Sequence, residues 1–238
     1  MNAQKNNLAP LSDRERAVLI GCLLGDGTLQ KRGTSSFRYR VSQSIKQEEY
    51  VNWKYQQLKR LCATTQPPRK VEDNKGLVTV EFYTSSGPYL QKLYELFYRE
   101  TLVQNKMNRN GPGQEATDYD YVPTKFIKKI TPELIENLPL DPVFLAVWFM
   151  DDGSVRNDCY AGNIATQCFS LEEHHLLQNY FRKTWGIECN ISRHSQKSGQ
   201  YYLYLPSKSF TKFVQLIEST VREIPSMVYK LNEDRRAR

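Results

Sequence analysis

The 238-residue sequence lacks the features that mark membrane, secreted and zinc-binding proteins. Its apolar runs are short of the roughly 20 residues needed to cross a bilayer, and its first ten residues contain no apolar core of a signal peptide. It has only 3 histidines and 5 cysteines, with no C-x-x-C pair and no His-rich cluster. We therefore expect free or buried thiols, no zinc site, no membrane partner and a reducing intracellular location, either the bacterial cytoplasm or an organelle matrix.

Acidic residues are scarce relative to basic ones. Lys and Arg number 33 against 26 Asp and Glu, which gives a net charge of +7. Such an excess favours a polyanionic partner such as nucleic acid over an acidic small molecule. With 39% hydrophobic residues, the chain can bury the core of one large domain or of two fused halves of roughly 100 residues each.

Two segments share a plan, which is an almost unbroken apolar run that ends in Asp-Gly. Residues 18–27 read VLIGCLLGDG, and residues 143–153 read VFLAVWFMDDG. A glutamine follows the aspartate at a similar distance in each case, and each glutamine lies five residues before a Glu-Glu pair. In chain order these landmarks are Asp26, Gln43 and Glu48, then Asp152, Gln167 and Glu172. The shared register indicates an internal duplication.

The duplication divides the chain into two homologous halves joined by a polar connector. We place the halves at residues 11–100 and 139–234 and the connector at 101–138, which contains Lys129. Short tails remain at residues 1–10 and 235–238.

Each half has the pattern α-β-β-α-β-β-α. In the first half, Ser12 and Glu15 form a capping-box signal for a helix that Gly27 can close. Residues 37–42 alternate apolar and polar side chains as a strand does, and residues 48–62 carry an apolar stripe at helical spacing. Most links between strands are too short for parallel crossovers. The predicted fold class is therefore α+β, a pseudo-twofold duplication with antiparallel sheets.

The two apolar runs predict a pair of buried helices that pack against each other. Gly21 and Gly25 lie one turn apart and let another helix backbone come close. If the helices run in parallel about a pseudo-twofold axis, Asp26 and Asp152 meet at their ends. Two carboxylates placed beside the negative ends of two helix dipoles require a cation. Hard oxygen ligands of this kind suit Mg²⁺.

With these residues the sequence resembles the LAGLIDADG homing endonucleases, in the single-chain form that carries two copies of the signature. Leu19–Gly27 and Leu145–Gly153 are similar to the two nine-residue signatures, and the resemblance extends over nearly the whole chain. The sequence departs from the consensus at Leu24 and Met150, which replace Asp, and at Val147, which replaces Gly. These positions affect packing more than chemistry, and Val147 opposite a glycine could form a large–small match.

The resemblance also implies a role for individual residues. They are the catalytic, metal-binding acids Asp26 and Asp152, the main-chain carbonyl donors Gly25 and Asp151, the strand-end glutamines Gln43 and Gln167, and the charge-stabilising lysines Lys129 and Lys230. Lys128 is adjacent to Lys129, and the sequence leaves open which of the two points inward. The implied metal is Mg²⁺.

A DNA-binding surface is expected on the strands. Two antiparallel sheets, each with one face on helices, leave their other faces free to form a saddle that follows a duplex groove. The expected contact residues are Gln30, Arg32, Arg38, Arg40, Arg69, Lys70, Arg156, Arg193 and Lys197. Arg reads guanine, Gln reads adenine, and Lys mainly contacts phosphate.

The function implied by the resemblance is a site-specific homing endonuclease that makes a metal-dependent double-strand break in a long DNA target. A monomer is expected, because the duplication supplies the symmetry that a single-motif chain obtains by dimerising. Two alternatives remain open. One is an RNA maturase, an intron-splicing cofactor on the same scaffold, and the other is a non-catalytic DNA-binding protein. The presence of both Asp26 and Asp152 argues against the second alternative.

Overall fold

The chain alternates helices with short antiparallel strands, and the computed structural model describes residues 10–62, 67–104, 121–195 and 199–236. The helices are α1 (Asp13–Leu24), α2 (Glu48–Leu58), α3 (Gln91–Phe97), α4 (Pro132–Glu136), α5 (Val143–Asp152), α6 (Leu171–Tyr180), α7 (Ser207–Arg222) and α8 (Glu233–Arg236). The strands are β1 (Thr28–Lys31), β2 (Phe37–Ser44), β3 (Arg69–Glu72), β4 (Val78–Tyr83), β5 (Tyr98–Gln104), β6 (Tyr121–Lys128), β7 (Gly153–Val155), β8 (Gly162–Ile164), β9 (Asn190–Arg193) and β10 (Tyr201–Leu205). Elements α1 to α3 and α5 to α7 both follow the predicted order α-β-β-α-β-β-α.

Helix α1 begins as its sequence predicts and ends earlier. The Ser12 side chain accepts a hydrogen bond from the Glu15 amide, and the Glu15 carboxylate accepts one from the Ser12 amide, which completes the capping box. The predicted closing residue was Gly27, whereas the helix is capped at Gly25. The Gly27 amide instead donates to the carbonyl of Cys22 at 2.7 Å.

Helices α1 and α5 form the centre of the core and are buried almost all round. A Cβ atom on Gly21 would lie 2.6 Å from the Phe144 carbonyl oxygen and 2.7 Å from the Val147 Cβ. One turn further on, a Cβ on Gly25 would lie 2.5 Å from the Cβ of Asp151. Because the contacts advance along both helices together, the helices run in the same direction. Val147 was predicted to lie opposite a glycine, and the structure identifies that glycine as Gly21.

Two four-stranded antiparallel sheets flank this pair of helices. Their strand orders are β1-β2-β4-β3 and β7-β8-β10-β9, so each position of one sheet has a counterpart in the other. Along β2 the side chains of Phe37, Tyr39 and Val41 are buried, whereas the residues between them are partly exposed. This alternation confirms the predicted face of the strand. The antiparallel sheets and the repeated element order confirm the prediction of a duplicated α+β fold.

The connector between the halves contains structure of its own. Strands β5 and β6 pair with each other, and α4 follows them. The proposed boundary at residues 100 and 101 therefore falls inside β5, and residues 105–120 lie outside the described part of the chain. All five cysteines lie within the described residues and none of them is in a disulfide. No helix of the described residues is long and apolar enough to cross a membrane.

Candidate active site and nucleic-acid interface

The ends of α1 and α5 bring two acidic residues to one place. Asp26 follows the end of α1 and is exposed, and Asp152 is the last residue of α5. Gly25 is buried because the side chain of Asp151 occupies the space that a side chain on Gly25 would need. Asp151 itself is half-buried as a residue while its side chain is fully buried, so its main chain is the part exposed beside the two acids.

Gln43 joins the two helix ends. Its Nε2 atom donates to Asp26 Oδ2 at 3.0 Å and to Asp151 Oδ1 at 3.1 Å. The residue is 5% exposed because its side chain lies on the helix-facing side of β2. A single amide group from the first half therefore contacts an acid of each signature.

Gln167 occupies a different environment. Strand β8 ends at Ile164, three residues before Gln167, so Gln167 lies half-buried in the turn that follows the strand and not at the strand end that the resemblance implied. Within the described residues it makes no hydrogen bond to Asp152. The structure thus brings Gln43 to the acids directly and does not do the same for Gln167.

The lysine that reaches the site from β6 is Lys128. Its Nζ donates to the carbonyl oxygen of Gly25 at 2.8 Å. Lys129, the predicted residue, has its Nζ 3.7 Å from Glu173 on α6 and leaves 39% of its side chain exposed. Successive side chains at a strand end point in opposite directions, so only one of the two adjacent lysines can face the acids.

Lys230 reaches the site from the second half. It is 7% exposed and its Nζ donates to the carbonyl oxygen of Gly153, directly after Asp152. Burial lowers the pKa of both Lys230 and Lys128 below the usual value for lysine, although the neighbouring carboxylates act in the opposite sense. Two lysines with lowered pKa therefore flank the acids, one from each half of the fold.

Burial and the charges of neighbouring acids both act on Asp152. Burial, followed by the negative charges of Asp26 and Asp151, raises the pKa of Asp152 to about 7. Among the described residues no three His, Cys, Asp or Glu side chains converge as a closed metal site. Two carboxylates with neighbouring carbonyl oxygens nevertheless fit Mg²⁺, which is usually held by one or two carboxylates and completed by water and substrate phosphates.

A buried ion pair supports this arrangement, and the sequence interpretation missed it. Lys54 Nζ lies 2.6 Å from Asp151 Oδ1, and both side chains are completely buried. The same Nζ donates to Gln43 Oε1 at 3.2 Å and lies 4.0 Å from the ring centre of Tyr50. Burial opposes its charge, but the Asp151 carboxylate raises the pKa of Lys54 above its usual value.

The sequence did contain a signal for Lys54. It lies three residues after Val51 and four before Leu58, so helical spacing places it on the apolar stripe of α2. A lysine at a core-facing position requires a buried partner, because an unpaired charge there is costly.

The outer face of the first sheet carries a cluster of arginines around one carboxylate. Glu81 accepts hydrogen bonds from Arg69 Nη2 at 2.6 Å, Arg40 Nη2 at 3.1 Å and the Tyr83 hydroxyl at 2.9 Å. The guanidinium of Arg38 lies 4.3 Å from the ring centre of Tyr83. Glu81 is buried beneath these side chains, whereas 68% of the Arg69 side chain is exposed. The carboxylate and the ring thus hold three cationic groups at the surface.

Gln30 belongs to the same surface. It pairs in register with Arg38 across β1 and β2, and its Oε1 accepts from Arg38 Nε at 2.9 Å. The predicted contact residues Gln30, Arg38, Arg40 and Arg69 therefore form one continuous face. Sequence interpretation missed Glu81 and Tyr83, because an acid and a tyrosine on a strand do not by themselves indicate a cationic surface.

On the second sheet, the described strand residues of the corresponding face carry no charge. The strand register places the residues between the buried Ile164, Leu203 and Leu205 on the outer side. These outer residues are Ser154, Asn163, Asn190, Ser192, Tyr202 and Tyr204. The two sheets share a topology, but their outer faces differ in charge.

Two predicted contact residues lie off these outer faces. Lys70 pairs in register with Val80, on the side of the sheet that faces the helices, and its Nζ lies 3.0 Å from Glu48. Arg193 pairs in register with Tyr201, and its guanidinium lies 5.9 Å from the Tyr201 ring. A shift of one residue along a strand moves a side chain to the opposite face, which explains both differences.

The remaining predicted contact residues lie near turns. Arg32 is exposed in the turn between β1 and β2. Arg156 follows β7 and forms an ion pair with Asp158 at 2.5 Å. Lys197 lies outside the described residues.

The protein therefore has a duplicated α+β fold in which two acids are paired at the ends of the two central helices. The sequence model of the LAGLIDADG DNA endonuclease family matches residues 16–109 and 118–213. The chain belongs to this family.

Three relatives show the range of proteins to which the sequence is similar. The chain is 30% identical over 234 residues to the protein RecA of Mycolicibacterium flavescens, a match that covers 93% of this chain and 47% of that protein. It is 26% identical to the cytochrome b mRNA maturase bI2 of Saccharomyces cerevisiae, covering 95% of this chain and 49% of that protein. It therefore spans about half the length of these relatives. The DNA endonuclease I-ChuI of Chlamydomonas applanata is 25% identical, with 94% of this chain and 96% of that protein covered.

Solved structures share the fold. The homing endonuclease I-WcaI bound to its DNA recognition sequence matches with a TM-score of 0.71 at 22% identity, covering 97% of this chain and 93% of that chain. I-DmoI in complex with DNA and Mn matches with a TM-score of 0.51 at 15% identity, covering 87% of this chain and 97% of that chain.

Proposed function

We propose that this protein is a site-specific DNA endonuclease that acts as a monomer and makes a metal-dependent double-strand break in a long duplex target. The observation that carries the proposal is the meeting of Asp26 and Asp152 at the ends of two parallel helices, between Lys128 and Lys230. The names of two similar proteins, the DNA endonuclease I-ChuI and the DNA-bound homing endonuclease I-WcaI, support it. The duplicated fold supports a monomer, because one chain supplies both halves of the site.

Mg²⁺ is the proposed metal, and the residues that would hold it are oxygen donors. Asp26 and Asp152 would contribute carboxylates, and Gly25 and Asp151 would contribute main-chain carbonyls. The Gly25 carbonyl already accepts a hydrogen bond from Lys128, but a carbonyl oxygen has a second lone pair. When bound, the metal supplies an activated water and neutralises the charge that builds on the phosphate.

The glutamines would position the acids, and the lysines would supply positive charge and exchange protons. Gln43 would hold Asp26 in place through its amide, and Gln167 is proposed as its second-half counterpart. Lys128 takes the role that the resemblance gave to Lys129, because its ammonium lies beside Gly25. Together with Lys230 it would place positive charge next to the phosphates and hold or release a proton there.

The duplex is proposed to lie across the outer faces of the two sheets. Arg38, Arg40 and Arg69 in the first sheet would contact guanines or phosphates. Tyr202 and Tyr204 in the second sheet would present hydroxyl groups and rings instead. The two half-sites of the target would therefore be read by different chemistry.

A second candidate function is that of an RNA maturase. The similarity to the maturase bI2 over 95% of this chain favours it. Such a protein would keep the fold and the cationic face, with or without cleavage of DNA.

The test uses a DNA duplex in which the two sequences that flank the reading frame are joined directly. If the reading frame was inserted into its own target, this joined sequence is the uninterrupted target. With Mg²⁺ the protein should cut both strands once at that site, and with EDTA it should bind in a gel shift without cutting. Asp26→Asn and Asp152→Asn should bind but cut at least about 100-fold more slowly.

Three results would contradict parts of the proposal. Equal cutting in excess EDTA would remove the metal. Double-strand cutting at the normal rate by either Asn variant would remove that acid from the site. Failure to bind the duplex, together with binding of the intron RNA, would favour the maturase.

A further inference from the structure

We infer that Lys54 is a positioning residue of the active site, which orients the Gln43 amide and neutralises Asp151, so that Gln43 holds Asp26. This inference rests on the proposed function. Lys54 lies on α2, outside both signatures, and its ammonium does not contact either Asp26 or Asp152 in the hydrogen bonds and ion pairs of the described residues.

The first part of the argument is the orientation of an amide. The Gln43 side chain has one oxygen that only accepts hydrogen bonds and one nitrogen that only donates them. Lys54 Nζ donates to the oxygen at 3.2 Å, and the nitrogen donates to Asp26 at 3.0 Å and to Asp151 at 3.1 Å. A flipped amide would place oxygen against two carboxylates and nitrogen against an ammonium. Lys54 therefore allows one orientation, the one that binds Asp26.

The second part concerns the charge of Asp151. Its carboxylate lies against Gly25, and a third uncompensated acid here would compete with Asp26 and Asp152 for a cation. Lys54 lies 2.6 Å from it, with both side chains fully buried. The pair leaves Asp26 and Asp152 as the two acids whose charge a metal must neutralise.

The third part is that these contacts are made by residues of both halves. Lys54 and Gln43 come from the first half, whereas Asp151 lies in the second signature. Gln43 and Gln167 are 124 positions apart, and the same offset makes Gln178 the second-half equivalent of Lys54. Gln178 donates instead to the main-chain carbonyl of Cys189 at 2.7 Å. It is therefore a matched control, a half-buried polar contact of the equivalent helix that does not lead to the acids.

The experiment compares the wild type with Lys54→Met, Gln43→Met, the double variant Lys54→Met/Gln43→Met and the control Gln178→Met. Mn²⁺ binding is followed without DNA by the loss of the free Mn²⁺ signal in electron paramagnetic resonance. Single-turnover cleavage with Mg²⁺ and gel shifts in EDTA are measured on the same proteins. Thermal unfolding identifies the variants that are folded.

We expect Lys54→Met to weaken Mn²⁺ binding and slow cleavage by about 10- to 100-fold, as loss of a group that orients a metal ligand does, with DNA binding unchanged. Gln178→Met should match the wild type in all three measurements. Because Lys54 acts partly through Gln43, the loss in the double variant should be smaller than the two single losses combined. Unchanged Mn²⁺ binding in folded Lys54→Met, or additive losses in the double variant, would overturn the inference.

If Lys54→Met does not fold, because it leaves Asp151 as a buried unpaired charge, the variant Lys54→Met/Asp151→Asn takes its place. Both charges are then absent, but the Gln43 oxygen still lacks its donor. We expect at least about tenfold weaker Mn²⁺ binding, and wild-type binding would overturn the inference. A wild type that binds no Mn²⁺ and cuts no DNA would overturn the proposed function as well, whereas a normal wild type with a normal variant would overturn this inference alone.

Discussion

Gly21 lies so close to Val147 that a single added methyl group would place two Cβ atoms 2.7 Å apart. The same methyl group would lie 2.6 Å from the Phe144 carbonyl oxygen, which belongs to the backbone and cannot move aside cheaply. The distance between the two central helices is therefore set by the absence of a side chain at this position.

Gly21→Ala should lower the free energy of unfolding by about 1–3 kcal/mol, because overpacking outweighs the higher helix propensity of alanine. Val147→Ala in the same chain should recover little of the loss, since it removes only the Cγ1 contact at 3.0 Å, whereas the Cβ at position 147 and the Phe144 carbonyl remain. Urea denaturation measures both. Gly33→Ala is the control, as its added methyl would be 3.9 Å from its nearest neighbour. An increase in stability for Gly21→Ala would contradict the close approach.

The two adjacent lysines give a second prediction. Lys128→Met should slow cleavage by about 10²- to 10⁴-fold, the usual contribution of a positioned acid or base, with little change in DNA binding. Lys129→Met should leave the rate unchanged, because its ammonium lies beside Glu173, and its effect on stability should be at most about 1 kcal/mol. Single-turnover kinetics and gel shifts on the two variants test this. The reverse order of effects would return the role to Lys129.

A third prediction concerns the pH dependence of stability in EDTA. The pKa of Asp152 is about 7 in the folded chain and near 4 when unfolded, so between these values the folded state binds more protons. The resulting stabilisation is complete below about pH 4 and is lost as the pH rises through 7. Asp152→Asn has no carboxyl group to deprotonate, so it does not lose stability in this way as the pH rises. Its melting temperature relative to the wild type should therefore rise from pH 5 to pH 8.

Added Mg²⁺ or Ca²⁺ at pH 8 should recover stability in the wild type and have less effect in Asp152→Asn, because one ligand has lost its charge. A difference between the two proteins that stays constant from pH 5 to pH 8 would show that Asp152 titrates normally.

A fourth prediction concerns the carboxylate beneath the arginines. Glu81→Gln keeps an acceptor for Arg40 and Arg69 but removes a negative charge from the DNA-facing surface. Affinity for random duplex should therefore increase, while the preference for the target should fall about tenfold as the arginines lose their fixed positions. Gel shifts on target and random duplexes give both values. Equal changes on the two duplexes would mean that Glu81 affects charge and not positioning.

A fifth prediction follows from the unequal charge of the two sheets. Arg69→Gln should reduce the slope of log K against log salt by about 0.9 if Arg69 neutralises one phosphate. Tyr204→Phe, on the matching face of the second sheet, should leave the slope unchanged. An unchanged slope for Arg69→Gln, with loss of preference at one base pair, would identify a base contact instead.

The fold could be predicted because its signals repeat. Two apolar runs, two glutamines at similar offsets and alternating strands such as Phe37 to Val41 each indicate the same duplicated unit. The family resemblance implied a strand-end position for Gln167, whereas β8 ends at Ile164 and the chain turns before Gln167.

The site was less predictable, because it depends on the direction of single side chains. Lys128 and Lys129 have identical chemistry, and one residue of register along β6 decides which faces the acids. Lys70 and Arg193 were expected to contact DNA, and the strand register places both on the helix-facing side of their sheets. Lys54 has a sequence signal, but its partner Asp151 lies about a hundred positions away in the other half, and local periodicity carries no information about such a contact.

The buried pair between Lys54 and Asp151 limits how freely the halves of such proteins can be recombined. A chimera that joins this first half to another second half would retain Lys54 in its apolar surroundings. If the donor had alanine or glycine at the position of Asp151, an unpaired ammonium would remain in the core of the hybrid. A folded hybrid should therefore have either an acid at the position of Asp151 or a neutral residue in place of Lys54. This requirement comes before any redesign of the bases that the hybrid recognises.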